Sequence, residues 1–131
     1  MPEQAEPRDV SPPLLIGKLS YKVIWSPAIM HPDTDDTILA WKAPKTGNVR
    51  LFGNPRKQDV GGDGVNVKIQ VNSQSIWPSV GWKTIDAYDT NGVSYDMNIA
   101  VNKNDIIYFI LNKNQNNAND ATYWNPQIKY Q

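Results

Sequence analysis

Seven side chains in this sequence combine aromatic rings with amide and charged groups. The flat C–H face of a sugar ring stacks on an aromatic ring, and its hydroxyl groups pair with planar polar groups. We expect two stacking platforms, two walls and three hydroxyl partners: Tyr108 and Phe52, then Trp77 and Trp82, then Arg50, Lys68 and Gln70.

Because side chains alternate between the two faces of a strand, odd and even positions distinguish the expected core residues from the outward ones. Phe52 and Tyr108 alternate with aliphatic residues along their segments, so they point away from the core. If their two strands are neighbours, one sheet exposes a face lined by aromatic and amide groups. The alternative is that these aromatics cover a second small core or an N-terminal strand. The aromatics that share the aliphatic parity are expected in the main core: Trp41, Tyr95, Phe109 and Trp124.

Carboxylates in the predicted loops could bind a calcium ion. Ca²⁺ takes six to eight oxygen ligands, and loops that are rich in Asp and backbone carbonyls supply them. We expect Asp36, Asp63 and Asp120 as ligands of a structural calcium. No stretch has EF-hand spacing, and the alternative is that these residues form ordinary Asx turns.

Catalytic chemistry finds little support in the sequence. There is one histidine, His31, and no cysteine. A catalytic base needs a nucleophile and an orienting partner, so we favour a structural histidine bonded across a loop over a ligand or catalytic role. A glycosidase needs two carboxyl groups about 5–10 Å apart, a spacing that sequence alone does not give. We therefore expect no enzyme.

The elements that position these residues are predicted to be strands. In the segment 61–71, a glycine-rich turn precedes β-branched residues at 65, 67, 69 and 71, which alternate with polar residues. This pattern is typical of a half-buried strand. The run 106–111 is apolar on both sides and predicts a central strand. Asn91-Gly92, between two alternating segments, predicts a β-hairpin.

No segment has a sustained helical period. The spacing of the alternating runs predicts roughly eight to ten strands, as in a sandwich or barrel. The fold class that fits best is all-β, an antiparallel β-sandwich of jelly-roll type forming a single domain.

Composition limits the possible partners. The chain has 131 residues, and its 13 basic and 13 acidic residues cancel. It therefore lacks the positive field of a nucleic-acid-binding protein. No apolar run approaches the ~20 residues that span a bilayer, so we expect no membrane insertion. The proline-rich residues 1–13 are interpreted as a linker or extended lead, and residues 14–131 as the β-sandwich domain.

Several short motifs, in their order along the chain, resemble a known class of domain. They are Met30-His31-Pro32, Ala43-Pro44-Lys45-Thr46-Gly47, Gly62-Asp63-Gly64-Val65, Ile76-Trp77-Pro78, Asn104-Asp105 with Tyr108-Phe109, and the segment Asp120 to Tyr130. Together they resemble the β-sandwich carbohydrate-binding modules of secreted bacterial polysaccharide-degrading enzymes, particularly a xylan-binding kind. The resemblance covers residues from about 25 to 130.

The resemblance implies a non-catalytic domain that binds a plant cell-wall polysaccharide, with xylan favoured, and that targets an attached glycoside hydrolase. Such modules often hold a structural calcium ion. We expect a secreted or cell-surface monomer whose partners are the polysaccharide and a catalytic domain in the same polypeptide. The alternative is a protein-interaction or scaffold domain of a multidomain secreted protein.

Overall fold

The computed structural model describes residues 23–25, 29–31, 36–58, 60–112, 114 and 122–131. These residues form twelve strands and no helix, so none of them belongs to a helix that could cross a membrane. The strands are β1 (Val23–Trp25), β2 (Ile29–His31), β3 (Thr37–Lys42), β4 (Gly47–Gly53), β5 (Arg56–Lys57), β6 (Val65–Val71), β7 (Gln74–Trp77), β8 (Lys83–Ile85), β9 (Tyr95–Val101), β10 (Ile106–Asn112), β11 (Thr122–Tyr123) and β12 (Gln127–Tyr130).

The strands form three sheets, and every pairing is antiparallel. Sheet A has the order β3-β10-β6-β7, with β8 also pairing with β6. Sheet B has the order β12-β4-β9, and sheet C has the order β1-β2-β11-β5. The all-β antiparallel sandwich that the sequence predicts is confirmed.

A single apolar core joins sheets A and B. The inward residues of β6 and β10 alternate as the sequence predicts, and Val67, Ile69 and Phe109 have no exposed surface. Val49 and Leu51 of β4 contribute the opposing layer of the core. The predicted central strand is confirmed because β10 lies between β3 and β6.

The four aromatics predicted for the core are all buried, and three of them form one cluster. Trp124 packs edge-on against Phe109, with ring centres 5.8 Å apart, and also against Tyr95 at 6.3 Å. Its indole N–H donates a hydrogen bond of 3.1 Å to the Tyr95 hydroxyl, so its polar atom is satisfied inside the core. Burial raises the pKa of Tyr95 well above its ordinary value. Trp41 lies at the other side of the core, where it contacts Tyr130 with ring centres 5.9 Å apart.

The prediction of a hairpin at Asn91-Gly92 is wrong. The preceding strand, β8, pairs with β6 in sheet A, whereas the following strand, β9, pairs with β4 in sheet B. The turn is closed by Asp89, whose Oδ1 accepts the N–H groups of Asn91 and Gly92. The Val93 N–H then donates to the carbonyl of Pro55, so the chain leaves the turn toward the opposite sheet.

The glycine-rich turn before β6 lies close to β8. Gly64 has φ of +82°, and a Cβ at this position would lie 2.6 Å from the carbonyl oxygen of Ile85. The Gly61 N–H donates to the carbonyl of Ala87. Because only glycine adopts this backbone without strain or collision, Gly64 fixes the contact between the turn and β8.

Candidate functional site

Four of the predicted site residues lie together on the outer face of sheet A. Tyr108 on β10 lies directly opposite Gln70 on β6. Lys68 is two residues before Gln70 on the same face, and its ammonium nitrogen lies 4.3 Å from the centre of the Trp82 ring. All four side chains are half-buried. We call Tyr108, Gln70, Lys68 and Trp82 the outer strip.

The outer strip is bounded on the side of β3. Three residues on the same face of sheet A as Tyr108 are buried: Ile38 and Ala40 on β3, and Ile110 on β10. On the side of β7 and β8, the outer face is open at Thr84, which is exposed, and at Ser75, which is half-buried. The accessible part of the outer face therefore lies on β6 and on the side of β7 and β8.

Trp77 does not lie beside Trp82 as a second wall. It is paired opposite Ile69, whose side chain belongs to the core. Its ring lies 4.8 Å from that of Tyr95, at an interplanar angle of 42°. Trp77 is therefore on the core side of sheet A, while Trp82 is on the outer side.

Phe52 and Arg50 also lie away from the outer strip. They are on the outer face of β4, which belongs to sheet B. The hypothesis of one aromatic face required the strands of Phe52 and Tyr108 to be neighbours, and the core separates these strands instead. The Arg50 guanidinium stacks on the Phe52 ring, with Cζ 4.2 Å from the ring centre.

Arg50 has a carboxylate partner that sequence reasoning did not identify. Its Nε and Nη2 donate to the two oxygens of Asp96, at 2.9 Å and 2.8 Å. This hydrogen-bonded pairing lowers the pKa of Asp96 and raises the pKa of Arg50. Asp96 comes beside Arg50 through the pairing of β9 with β4, a long-range relationship that the local sequence pattern does not contain.

No protein-family model and no curated protein matches the sequence. Solved structures similar to it include a CBM35 from Paenibacillus barcinonensis, at 12% identity and a TM-score of 0.45, covering 97% of this chain and 96% of that one. A family 35 carbohydrate-binding module from an environmental isolate has 10% identity and a TM-score of 0.45, over 93% and 84% of the two chains.

A ruminal GH26 endo-beta-1,4-mannanase is also similar, with 10% identity and a TM-score of 0.49. The comparison covers 100% of this chain, but this chain spans only 27% of the length of the mannanase chain.

A network of asparagine side chains lies at the end of the outer strip. Asn112 donates to Asp36 Oδ1 at 2.8 Å and accepts from Asn66 at 3.2 Å. Thr84 donates to Asn66 Oδ1 at 2.7 Å. These bonds join β8 to the start of β3, the end of β10 and the start of β6. They therefore stabilise this end of sheet A, which we call its loop end.

The same network reaches the second predicted calcium ligand. The side chain of Asn114 donates to the backbone carbonyl of Asp63 at 2.9 Å. Asp36 and Asp63 thus lie at the same end of sheet A, while Asp120 is outside the described residues, as is the side chain of His31. Within the described ranges, no group of three His, Cys, Asp or Glu residues could hold a metal ion. The calcium site stays a prediction.

Three large apolar side chains among the described residues are exposed, and none was assigned a role from sequence; Val60 is 45% exposed, and two others are more exposed. Val80 is 84% exposed in the loop just before Trp82, and Tyr88 is 76% exposed after β8. Both are at turns, where parity carries no information about exposure.

Proposed function

We propose that this chain is a non-catalytic carbohydrate-binding module that binds a polysaccharide along the outer strip. The observation that carries the proposal is the juxtaposition of Trp82, Lys68 and Gln70 on the partly exposed outer face of sheet A. The aromatic ring suits the apolar face of a sugar, and the ammonium and amide groups suit its hydroxyls. Tyr108 adds a second ring beside Gln70.

The shape of the outer strip supports binding along a glycan chain. The accessible surface follows β6 and is bounded on one side by the buried residues of β3 and β10. The polar positions of β6 from Asn66 to Gln70 span roughly 13 Å at a rise of about 3.3 Å per residue. This length accommodates a short run of sugar units within a longer polymer.

The ligand that we propose is a plant cell-wall polysaccharide, with xylan favoured, as the sequence motifs imply. The module would be a secreted monomer that targets an attached glycoside hydrolase to its substrate. Affinity should be modest, with Kd in the micromolar to millimolar range as an order of magnitude. Hydroxyl groups exchange bonds with water for similar bonds with protein, and the flexible glycan loses conformational freedom.

The outer strip itself contains no carboxylate, so it lacks the pair of acids that a typical glycosidase uses. We therefore propose binding without catalysis. The alternative, a protein-interaction domain, would use the exposed apolar residues Val80 and Tyr88 as contact points.

Native affinity electrophoresis tests the proposed function. The purified domain is run through gels that contain xylan, arabinoxylan, mixed-linkage glucan, glucomannan or pectin. We expect retardation by at least one polymer, no release of reducing sugar, and loss of retardation in Trp82→Ala. Free migration of the wild-type protein through every gel would overturn glycan binding and favour the protein-interaction function. Release of reducing sugar would overturn the non-catalytic assignment.

We also propose a structural calcium at the loop end of sheet A, with Asp36 and Asp63 among its ligands. Support comes from the position of both residues at the same end of the sheet, linked through Asn112 and Asn114. A chelator should lower the melting temperature of the wild-type protein, and added Ca²⁺ should restore it. An unchanged melting temperature, with no calcium found by elemental analysis, would overturn this proposal.

A further inference from the structure

The outer face of sheet B carries a side-chain arrangement of its own, separated from the outer strip by the core. Phe52 lies under the guanidinium of Arg50, and Arg50 forms two hydrogen bonds with Asp96. Arg50 and Asp96 remain 41% and 58% exposed at the side chain. We call Arg50, Phe52 and Asp96 the arginine clamp.

The arginine clamp is ordered before any ligand arrives. An exposed arginine normally loses conformational freedom when it binds, but here Asp96 fixes two of its nitrogens and Phe52 fixes the plane of its head group. Nη1 of Arg50 has no hydrogen-bond partner among the described residues. An ordered donor therefore lies beside the carboxylate of Asp96, which can accept further hydrogen bonds.

Neighbouring strands extend this polar surface on both sides. Asn98 on β9 and Lys129 on β12 lie directly opposite Arg50, and Gln127 on β12 lies opposite Phe52. Asn98 and Lys129 are exposed, while Gln127 is half-buried. The surface thus presents donors and acceptors across three strands, with the partly exposed ring of Phe52 at the centre.

The chemistry of this surface fits a polyhydroxyl ligand better than a protein or an anion. Each sugar hydroxyl donates and accepts a hydrogen bond, and the arginine clamp offers both functions side by side. The centre of a protein interface is depleted in Asp, Glu and Lys, whereas this surface has Asp96 at its centre and Lys129 opposite Arg50. An anion would have to compete with Asp96, which already neutralises Arg50.

We propose that the outer face of sheet B is a second glycan-binding surface, centred on the arginine clamp, so that one molecule holds two polysaccharide chains on opposite faces. The ligand class rests on the proposed function, but the site does not, because its residues are separate from the outer strip. Two weak sites on one module convert binding to a polymer network into a bivalent event, which raises the apparent affinity.

Titration of the ¹⁵N-labelled domain with a soluble xylan oligosaccharide, followed by amide chemical shifts, separates the two sites. We expect two groups of shifted amides, one along β6 and β10 and one along β4 and β9. Shifts confined to sheet A would overturn the second surface and leave the proposed function intact. Shifts confined to sheet B would support the second surface and overturn the outer strip. If neither sheet responds to this oligosaccharide or to one from any polymer of the gel panel, both are wrong.

Matched variants assign each group of shifts. Arg50→Ala should abolish the sheet B shifts and leave the sheet A shifts, and Trp82→Ala should do the reverse. Arg56→Ala is the control, because Arg56 also stacks on an aromatic ring, that of Tyr123 at 4.7 Å, but in sheet C. The second surface is wrong if Arg50→Ala retains the sheet B shifts.

Cross-linking provides an independent readout. In a dilute solution of the polysaccharide that retards the domain, wild-type protein should increase light scattering by joining chains. Arg50→Ala should still bind on a gel without increasing the scattering, and Arg56→Ala should scatter like the wild type. Equal scattering by Arg50→Ala and wild type would overturn the bivalent arrangement.

Discussion

The ammonium nitrogen of Lys68 lies 4.3 Å from the centre of the Trp82 ring, on the outer face of sheet A. A cation at this distance is attracted to the ring and restrains its orientation. Trp77, only five positions earlier in the sequence, packs against Tyr95 on the core side of the same sheet. These two tryptophans therefore have different environments, and replacing each should have a different effect.

Trp82→Ala should weaken glycan binding with a small change in stability, since the ring lies on the outer face. Trp77→Ala should lower the free energy of unfolding by about 1–3 kcal/mol, less than the 3–5 kcal/mol typical of a fully buried Trp, because the ring is half-buried. Denaturant unfolding and isothermal titration calorimetry measure the two quantities. A large loss of stability in Trp82→Ala would show that Trp82 has a packing role, and unchanged binding would exclude it from the site.

Tyr108→Ala should reduce glycan affinity by ~1–3 kcal/mol, by analogy with the stacking of bases on aromatic side chains. Its melting temperature should barely change, because the Tyr108 side chain points away from the main core. Tyr108→Phe is the control, since it retains the ring and should retain most of the affinity. If Tyr108→Ala instead unfolds at a much lower temperature, the residue is part of a packed layer and not a platform.

Stability should fall in alkaline solution because of Tyr95. Its pKa is raised by burial, so the folded state retains the phenolic proton at a pH where the unfolded chain loses it. The stabilisation is fully present below about pH 10, the ordinary tyrosine pKa, and decreases as the pH rises further. Tyr95→Phe should remove part of this dependence.

Tyr95→Phe should also cost about 1–3 kcal/mol at neutral pH, because it leaves the buried indole N–H of Trp124 without its acceptor. Urea unfolding between pH 7 and pH 11 gives both effects. If the stability of Tyr95→Phe depends on pH as that of the wild type does, groups other than Tyr95 cause the loss of stability in alkaline solution.

Two glycines with similar backbone angles should respond differently to alanine. Gly64 has φ of +82°, and its Cβ would lie 2.6 Å from the carbonyl oxygen of Ile85. Gly81 has φ of +76°, and a Cβ there would meet no atom within 4 Å. Gly81→Ala should cost roughly 1–2 kcal/mol from the left-handed conformation alone, and Gly64→Ala should cost more because the turn must also move. Denaturant unfolding of both variants measures the difference, and equal costs would show that β8 tolerates displacement.

Local patterns in the sequence predicted the long strands well, because parity is a local property, but the twelve strands exceed the roughly eight to ten expected, since two-residue strands such as β5 and β11 leave no alternating run. The pattern of residues 65–71 gave β6 with its observed bounds, and the apolar run 106–111 gave β10 to within one residue. Trp41, Tyr95, Phe109 and Trp124 were assigned to the core by the same reasoning, and all are buried.

The grouping of the site residues was not predictable in this way. Phe52 and Tyr108 have the same outward parity, but they lie in different sheets because strand order depends on long-range pairing. Trp77 and Trp82 flank Pro78 and Gly81, so no alternation connects their faces. The roles of all seven predicted glycan-binding residues stay predictions.

The alternation along β6 determines which of its positions tolerate amino-acid substitution during evolution. Val65, Val67 and Ile69 are buried in the core, while Lys68 and Gln70 are half-buried on the outer face of sheet A. A substitution at Lys68 or Gln70 leaves the inward side chains on either side of it in the core, so its effect on stability should be small. The outer residues of β6 can therefore be exchanged while the inner residues preserve the scaffold.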